Sequence, residues 1–198
     1  KGRRAGLMMA LALTCGPRAG MLASIKVEEL INLSLPGMQI IIDTPAFKTD
    51  EEIPTYVAFS GLDFCPASWL RDYIQECGIQ SGYVLRGLKK DYGKPLSRHT
   101  INSVLREILS QSGVSIGKLT SHTFRKSMAT IAALEGVNVV DIAAQGSWAS
   151  IDTVNKDYIS KSIALQGKAA NAVMNALLFE ADKQAGVSQL ERKISPVL

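Results

Sequence analysis

A chain of 198 residues suits a single domain and is long enough to bury a core without disulfide or metal staples. With 46% hydrophobic and 20% charged residues, the composition excludes a disordered segment; three unpaired-looking cysteines (Cys15, Cys65, Cys77) exclude a disulfide framework, and two histidines (His99, His122) exclude a multi-histidine metal centre. The net charge of +4 and pI of about 9.0 suit a polyanionic partner without requiring one.

The apolar run Gly6–Cys15 is shorter than the ~20 residues a bilayer demands. Gly16-Pro17-Arg18 stands where a signal peptide would carry a small-residue cleavage site, so residues 5–14 read as a buried helix. The chain opens inside this helical pattern, as a fragment of something longer would. Residues 19–31 are amphipathic, with Met21, Leu22, Ile25 and Leu30 apolar. Pro36-Gly37 marks a turn. Met38–Ile42 and residues 53–59 read as strands, and the polar stretch 43–52 between them as a hairpin tip carrying Lys48.

Pro66 opens a helix that runs to Cys77 and stops at Gly78. Ser97 is placed to cap a helix reaching about Ser112, with Val104, Leu105, Ile108 and Leu109 on one face. Thr120 or Ser121 caps His122–Leu134, which ends at Gly136. Asn138, with Asp141 three residues on, looks like a capping box for a short helix ending at Gly146. Ile163, Leu165, Ala169, Val173, Ala176 and Leu177 recur at helical spacing and predict a last long helix over 163–185. The expected class is α+β, mostly α-helical, with a small antiparallel sheet packed on a helical core.

His122 and Arg125 stand one helical turn apart, on one face of their helix. Such a pair can grip a phosphate, arginine with a two-pronged guanidinium and histidine with a ring N–H. Taken alone, the same pattern describes an ordinary solvated helix start. Arg18 alone could serve only helix carbonyls, Lys48 alone is a solvated tip, and Trp148 alone reads as core.

In order, however, these residues form a set. Leu13-Thr14-Cys15-Gly16-Pro17-Arg18, Phe47-Lys48-Thr49, Ser121-His122-Thr123-Phe124-Arg125, Gly146-Ser147-Trp148 and Tyr158 resemble the boxes of the tyrosine recombinases, the phage integrase family. The resemblance covers residues 7–160. It implies the catalytic-domain fold of that family over residues 1–198, without the family's N-terminal DNA-clamping domain, and with 163–185 able to dock on a neighbouring subunit. It implies double-stranded DNA as partner, a tetramer on DNA, and an intracellular location with access to DNA, cytoplasmic or nuclear, with no membrane involvement. It implies no metal and no cofactor.

The implied roles are chemical. Arg18 and Arg125 hold the non-bridging oxygens of a pentacoordinate phosphorus. Tyr158 attacks, giving a 3′-phosphotyrosine and a free 5′-hydroxyl. Lys48 protonates the leaving oxygen, His122 exchanges a proton with the tyrosine, and Trp148 donates its indole N–H or packs beneath the tyrosine segment. Lys89, Lys90 and Lys94 are rival lysines. Tyr56, Tyr73, Tyr83 and Tyr92 are rival tyrosines, of which Tyr56 and Tyr73 read as core.

Two departures from the family pattern stand out. An acidic residue usually follows the first arginine by three positions, where this chain has Met21. The family's His or Trp usually comes directly after the glycine and nine residues before the tyrosine. Here Ser147 intervenes and Trp148 lies ten before Tyr158, as if one residue were inserted ahead of the nucleophile helix. Three other readings stay open: a type IB topoisomerase or telomere resolvase, a recombinase-like domain that only grips DNA, and an unrelated helical interaction domain.

Overall fold

The computed structural model describes residues 2–43, 54–87, 93–113 and 120–159. They belong to one compact unit, Lys1–Ile159. Lys48, Lys89, Lys90, Tyr92 and the helix expected over 163–185 lie outside the described residues.

Helix α1 (Gly2–Cys15) is apolar on most sides because it is central: it packs against α3 (Pro66–Glu76), α4 (Arg98–Gln111) and α5 (Ser121–Leu134). Leu7, Met8 and Leu11 are sealed within it. Gly16 ends the helix in the left-handed region, at φ 60°, where only glycine is comfortable. A Cβ there would also come within 2.7 Å of Met128 Cε on α5.

The amphipathic stretch 19–31 does not remain helical. Helix α2 (Ala19–Ser24) ends early, a 3-10 turn covers Val27–Glu29, and Leu30–Ile31 form strand β1. The reason is tertiary. Val27 N–H bonds to Gly82 O at 3.0 Å and Val84 N–H to Ile25 O at 2.9 Å, so the 82–84 segment captures this backbone as extended chain. Strands β2 (Ile40–Ile42) and β3 (Thr55–Val57) complete an antiparallel sheet in the order β1-β2-β3. The register sets Ile41 opposite Tyr56, while Ile40, Ile42, Thr55 and Val57 face inward. Tyr56, expected in the core, therefore lies on the outer face and is 41% exposed.

The helix signals hold up well. Pro66 occupies the first turn of α3, and Gly78 follows its end at φ 57°. Ser97 Oγ accepts Thr100 N–H at 3.0 Å at the start of α4. Thr120 caps α5 by a reciprocal pairing with Thr123. Helix α6 (Val139–Gln145) opens with Asn138 Oδ1 accepting Val140 N–H at 3.0 Å. A single turn, α7 (Ile151–Thr153), leads into a π-helical turn over Val154–Tyr158.

Two apolar clusters result. The larger joins α1, α2, α3, α4 and the sheet, and includes Phe124 from α5. The smaller contains Met128, Ala129, Ile142, Ala143, Trp148 and Val154, with Tyr158 and Ile159 packed against it.

Candidate active site

Arg125 sits between the two clusters, next to Phe124 of the first and one turn before Met128 and Ala129 of the second. Its side chain is fully buried. Nη1 donates to Gly16 O at 2.7 Å and Nη2 to Ser147 O at 3.4 Å. The guanidinium lies 3.7 Å from the centroid of the Trp148 ring and 5.6 Å from that of Tyr158. Its Nε is buried without a partner. Burial, and then the nearby charge of Arg18, push the Arg125 pKa down to about 10, with Tyr158 acting in the other direction. At neutral pH the group is therefore still a cation.

Arg18 caps α2 in extended conformation, directly after the Gly16-Pro17 turn, and its side chain is exposed. The Gly16 carbonyl held by Arg125 belongs to that same turn, so the two arginines share one anchoring point. Met21, in the position of the expected acid, packs into the larger cluster at 8% exposure and offers Arg18 no charge.

His122 is exposed on the first turn of α5. Its Nδ1 lies 3.4 Å from the Tyr158 hydroxyl. Trp148 meets Tyr158 edge to face at 4.8 Å between centroids, and its indole N–H is buried without a partner. His122, Arg125, Trp148 and Tyr158 thus converge, with Arg18 beside them. Tyr73, by contrast, is buried in the larger cluster, where burial raises its pKa to about 12. Tyr83 pairs with Lys26 in an isolated antiparallel bridge, its ring centroid 5.5 Å from the Lys26 ammonium.

The Gly146-Ser147-Trp148 segment forms the end of α6. Ser147 N–H bonds to Ala144 O at 3.0 Å and Trp148 N–H to Ala143 O at 2.9 Å, the paired bonds of a Schellman helix end. In that motif Ser147 takes the left-handed position, at φ 54°, which glycine normally fills. Gly146 is required for space instead: a Cβ there would collide with the six-membered part of the Trp148 ring. The turn that carries the tyrosine is itself one residue wider than an α turn. Ile159 N–H bonds five residues back to Val154 O at 2.8 Å, a π turn that accommodates one residue more than an α turn does.

The sequence profile of the phage integrase family matches residues 2–164. The chain belongs to the phage integrase family. The solved structures it resembles include XerA recombinase (17% identity, TM-score 0.66, covering 86% of this chain and 57% of that one). They also include the XerH site-specific recombinase in a post-cleavage complex with a palindromic difH substrate (16%, 0.63, 90% and 46%). A third is the Tn1549 transposon integrase in complex with transposon right-end DNA (13%, 0.59, 87% and 58%). The chain spans about half the length of these recombinases. No curated protein matches the sequence. The integrase fold here is the expected one, helical with a three-stranded antiparallel sheet.

Three residues to which the sequence analysis assigned no role join this candidate site. Gly16 supplies the carbonyl that seats Arg125, Ser147 supplies the second carbonyl, and Gln145 joins α6 to the chain around Thr14 and Tyr56. The glycine could have been found from its turn; nothing in the residue type of Ser147 announces a left-handed backbone. Among the described residues no helix is long and apolar enough to cross a membrane, and no group of three acidic, cysteine or histidine side chains could hold a metal ion.

Proposed function

We propose that this chain cleaves and rejoins double-stranded DNA through a 3′-phosphotyrosine intermediate, with Tyr158 as the nucleophile. The observation that carries this reading is the placement of the Tyr158 hydroxyl against His122 Nδ1, with the Arg125 guanidinium 5.6 Å from the centroid of the same ring. The family, and neighbours whose structures hold DNA, support it.

In the cleavage step the Tyr158 oxygen attacks phosphorus while the bond to the 5′-oxygen breaks. The tyrosine proton passes to His122, and the leaving oxygen takes a proton from Lys48. Arg18 and Arg125 neutralise the charge that grows on the non-bridging oxygens, with the Trp148 N–H as a further donor. The arginines supply the charge stabilisation and the phosphotyrosine keeps the bond energy, so the step asks for no metal and no nucleotide. A hydroxyl-to-imidazole distance of 3.4 Å is long, as such pairs often are before substrate is bound. Arg125 is fully buried, with the Trp148 ring closer to it than the Tyr158 ring, so a phosphate reaches it only after covering side chains move. Assembly as a tetramer on DNA, with residues 163–185 reaching a neighbouring subunit, belongs to the same reading.

Covalent selection tests it without knowledge of the target. The chain is incubated with nicked duplexes of randomised sequence, denatured, and its attached strands are recovered, with Tyr158→Phe in parallel. The expected result is an adduct that disappears in the variant. An adduct that persists moves the nucleophile to another tyrosine. DNA binding with no adduct leaves a domain that only grips DNA.

A further inference from the structure

We infer that Gln145 is a positioning residue of the cleavage site, locking the segment that presents Arg18, strand β3 and the helix end that presents Trp148 into one rigid junction. This role presupposes the recombinase chemistry proposed for Tyr158.

The geometry is a three-way knot. Gln145 Nε2 donates to Tyr56 O at 2.8 Å and to Thr14 O at 3.2 Å. Its Oε1 accepts Tyr56 N–H at 3.3 Å. One side-chain amide therefore pairs with both main-chain groups of Tyr56, as a neighbouring strand would. The same amide holds the last turn of α1, two residues before Gly16 and four before Arg18. The amide orientation follows from its partners, since two carbonyls need the N–H side and one N–H needs the oxygen. The junction is doubled behind it. Thr55 Oγ1, fully buried, lies 3.5 Å from Gln145 O and 3.2 Å from Ser147 Oγ.

The place of Gln145 in the chain gives the knot its consequence. It is the last residue of α6, and the next three are the glycine, the left-handed serine and Trp148. Ser147 O receives Arg125 Nη2, while Gly16 O, on the other side, receives Nη1. The two carbonyls that seat Arg125 therefore belong to two segments that Gln145 ties together. Every polar group of its amide is engaged within the protein, so Gln145 acts through its neighbours. Leucine could fill the space but bond nothing. Glutamate would turn an ionised carboxylate toward two carbonyl oxygens, with no N–H to offer.

The test uses the 198-residue chain and a duplex recovered by the covalent selection. Wild type, Gln145→Leu and Gln145→Glu are compared in melting temperature, duplex affinity, and single-turnover adduct formation at saturating DNA. A positioning role predicts adduct formation slowed on the order of a hundredfold in both variants, with affinity unchanged and the melting temperature lowered by only a few degrees, about what the lost hydrogen bonds cost. Wild-type rates in both overturn the proposal, as does a parallel loss of rate, affinity and melting temperature, which marks a merely structural residue. If both substitutions prevent folding, Thr55→Val decides: it keeps shape and removes the hydroxyl contacts of the same junction. Slower adduct formation with unchanged affinity then supports the proposal, and a wild-type rate overturns it. No adduct from wild type overturns the recombinase reading itself, and the proposal with it.

Discussion

Arg18 and Tyr158 reach the same site from regions of unequal solidity. Arg18 follows α1, whose Leu7, Met8 and Leu11 are buried at the centre of the larger cluster. Tyr158 hangs from a short π turn, held by Val154, a few residues of the smaller cluster and a bond from Thr130 Oγ1 to its carbonyl at 3.3 Å. Between them lies Arg125, bonded to both sides. In the proposed reaction Arg18, which would hold the phosphate, follows the larger cluster, and Tyr158, which would move onto phosphorus, hangs from the smaller one. Segments that move in function come from the least stable part of a fold, and this arrangement meets that need.

Removing the link between the two regions has the largest expected effect. Arg125→Gln takes a buried charge and both carbonyl bonds from the seam. Adduct formation should fall by about 10²–10³-fold or more, the cost of losing one transition-state donor. Denaturant unfolding should show a loss of about 3 kcal/mol, because two buried carbonyls lose their partner. A variant that cleaves normally would mean the phosphate never meets this group.

The cores themselves come next. Leu11→Ala should cost about 2–5 kcal/mol of global stability by leaving a cavity in the larger cluster. Met128→Ala should stay near the lower end, about 2 kcal/mol, since the smaller cluster can collapse around it. Hydrogen exchange should separate the two: Met128→Ala speeds exchange at Val154–Ile159 selectively, whereas Leu11→Ala speeds it throughout. Uniform exchange in both would erase the distinction between the regions.

Gly146→Ala should cost about 1–3 kcal/mol by overpacking against the Trp148 ring. The displaced indole should become more solvent-exposed, seen as a red-shifted emission, and Arg125 should lose its aromatic cover. Unshifted emission would show that the ring has room to spare.

The smallest effect belongs to deletion of Asn155. A π turn differs from an α turn by one looped-in residue, so the deletion should leave Tyr158 facing His122 and adduct formation close to wild type. A collapse of activity would show that the turn itself is needed.

Much of the fold, and the grouping of the candidate site residues, was legible in the residues alone. The caps at Ser97, Thr120 and Asn138, the proline at the start of α3 and the glycines after α1 and α3 work through local chemistry, which a sequence carries in plain view. His122 and Arg125 share a face by helical arithmetic alone. What stayed hidden depends on distant partners. Residues 25–31 have helical periodicity, yet the 82–84 segment claims their backbone. Tyr56 reads as core in an apolar run, but strand parity puts it outside, between two buried neighbours. Gln145 has no local role at all, and its partners lie 89 and 131 residues away.

The π turn has a consequence for recognising kin of this protein. Counting a fixed nine residues from Trp148 lands on Asp157, a carboxylate, and would miss the tyrosine that the proposed reaction needs. In three dimensions it is the Tyr158 hydroxyl that lies against His122 Nδ1, at the end of the π turn.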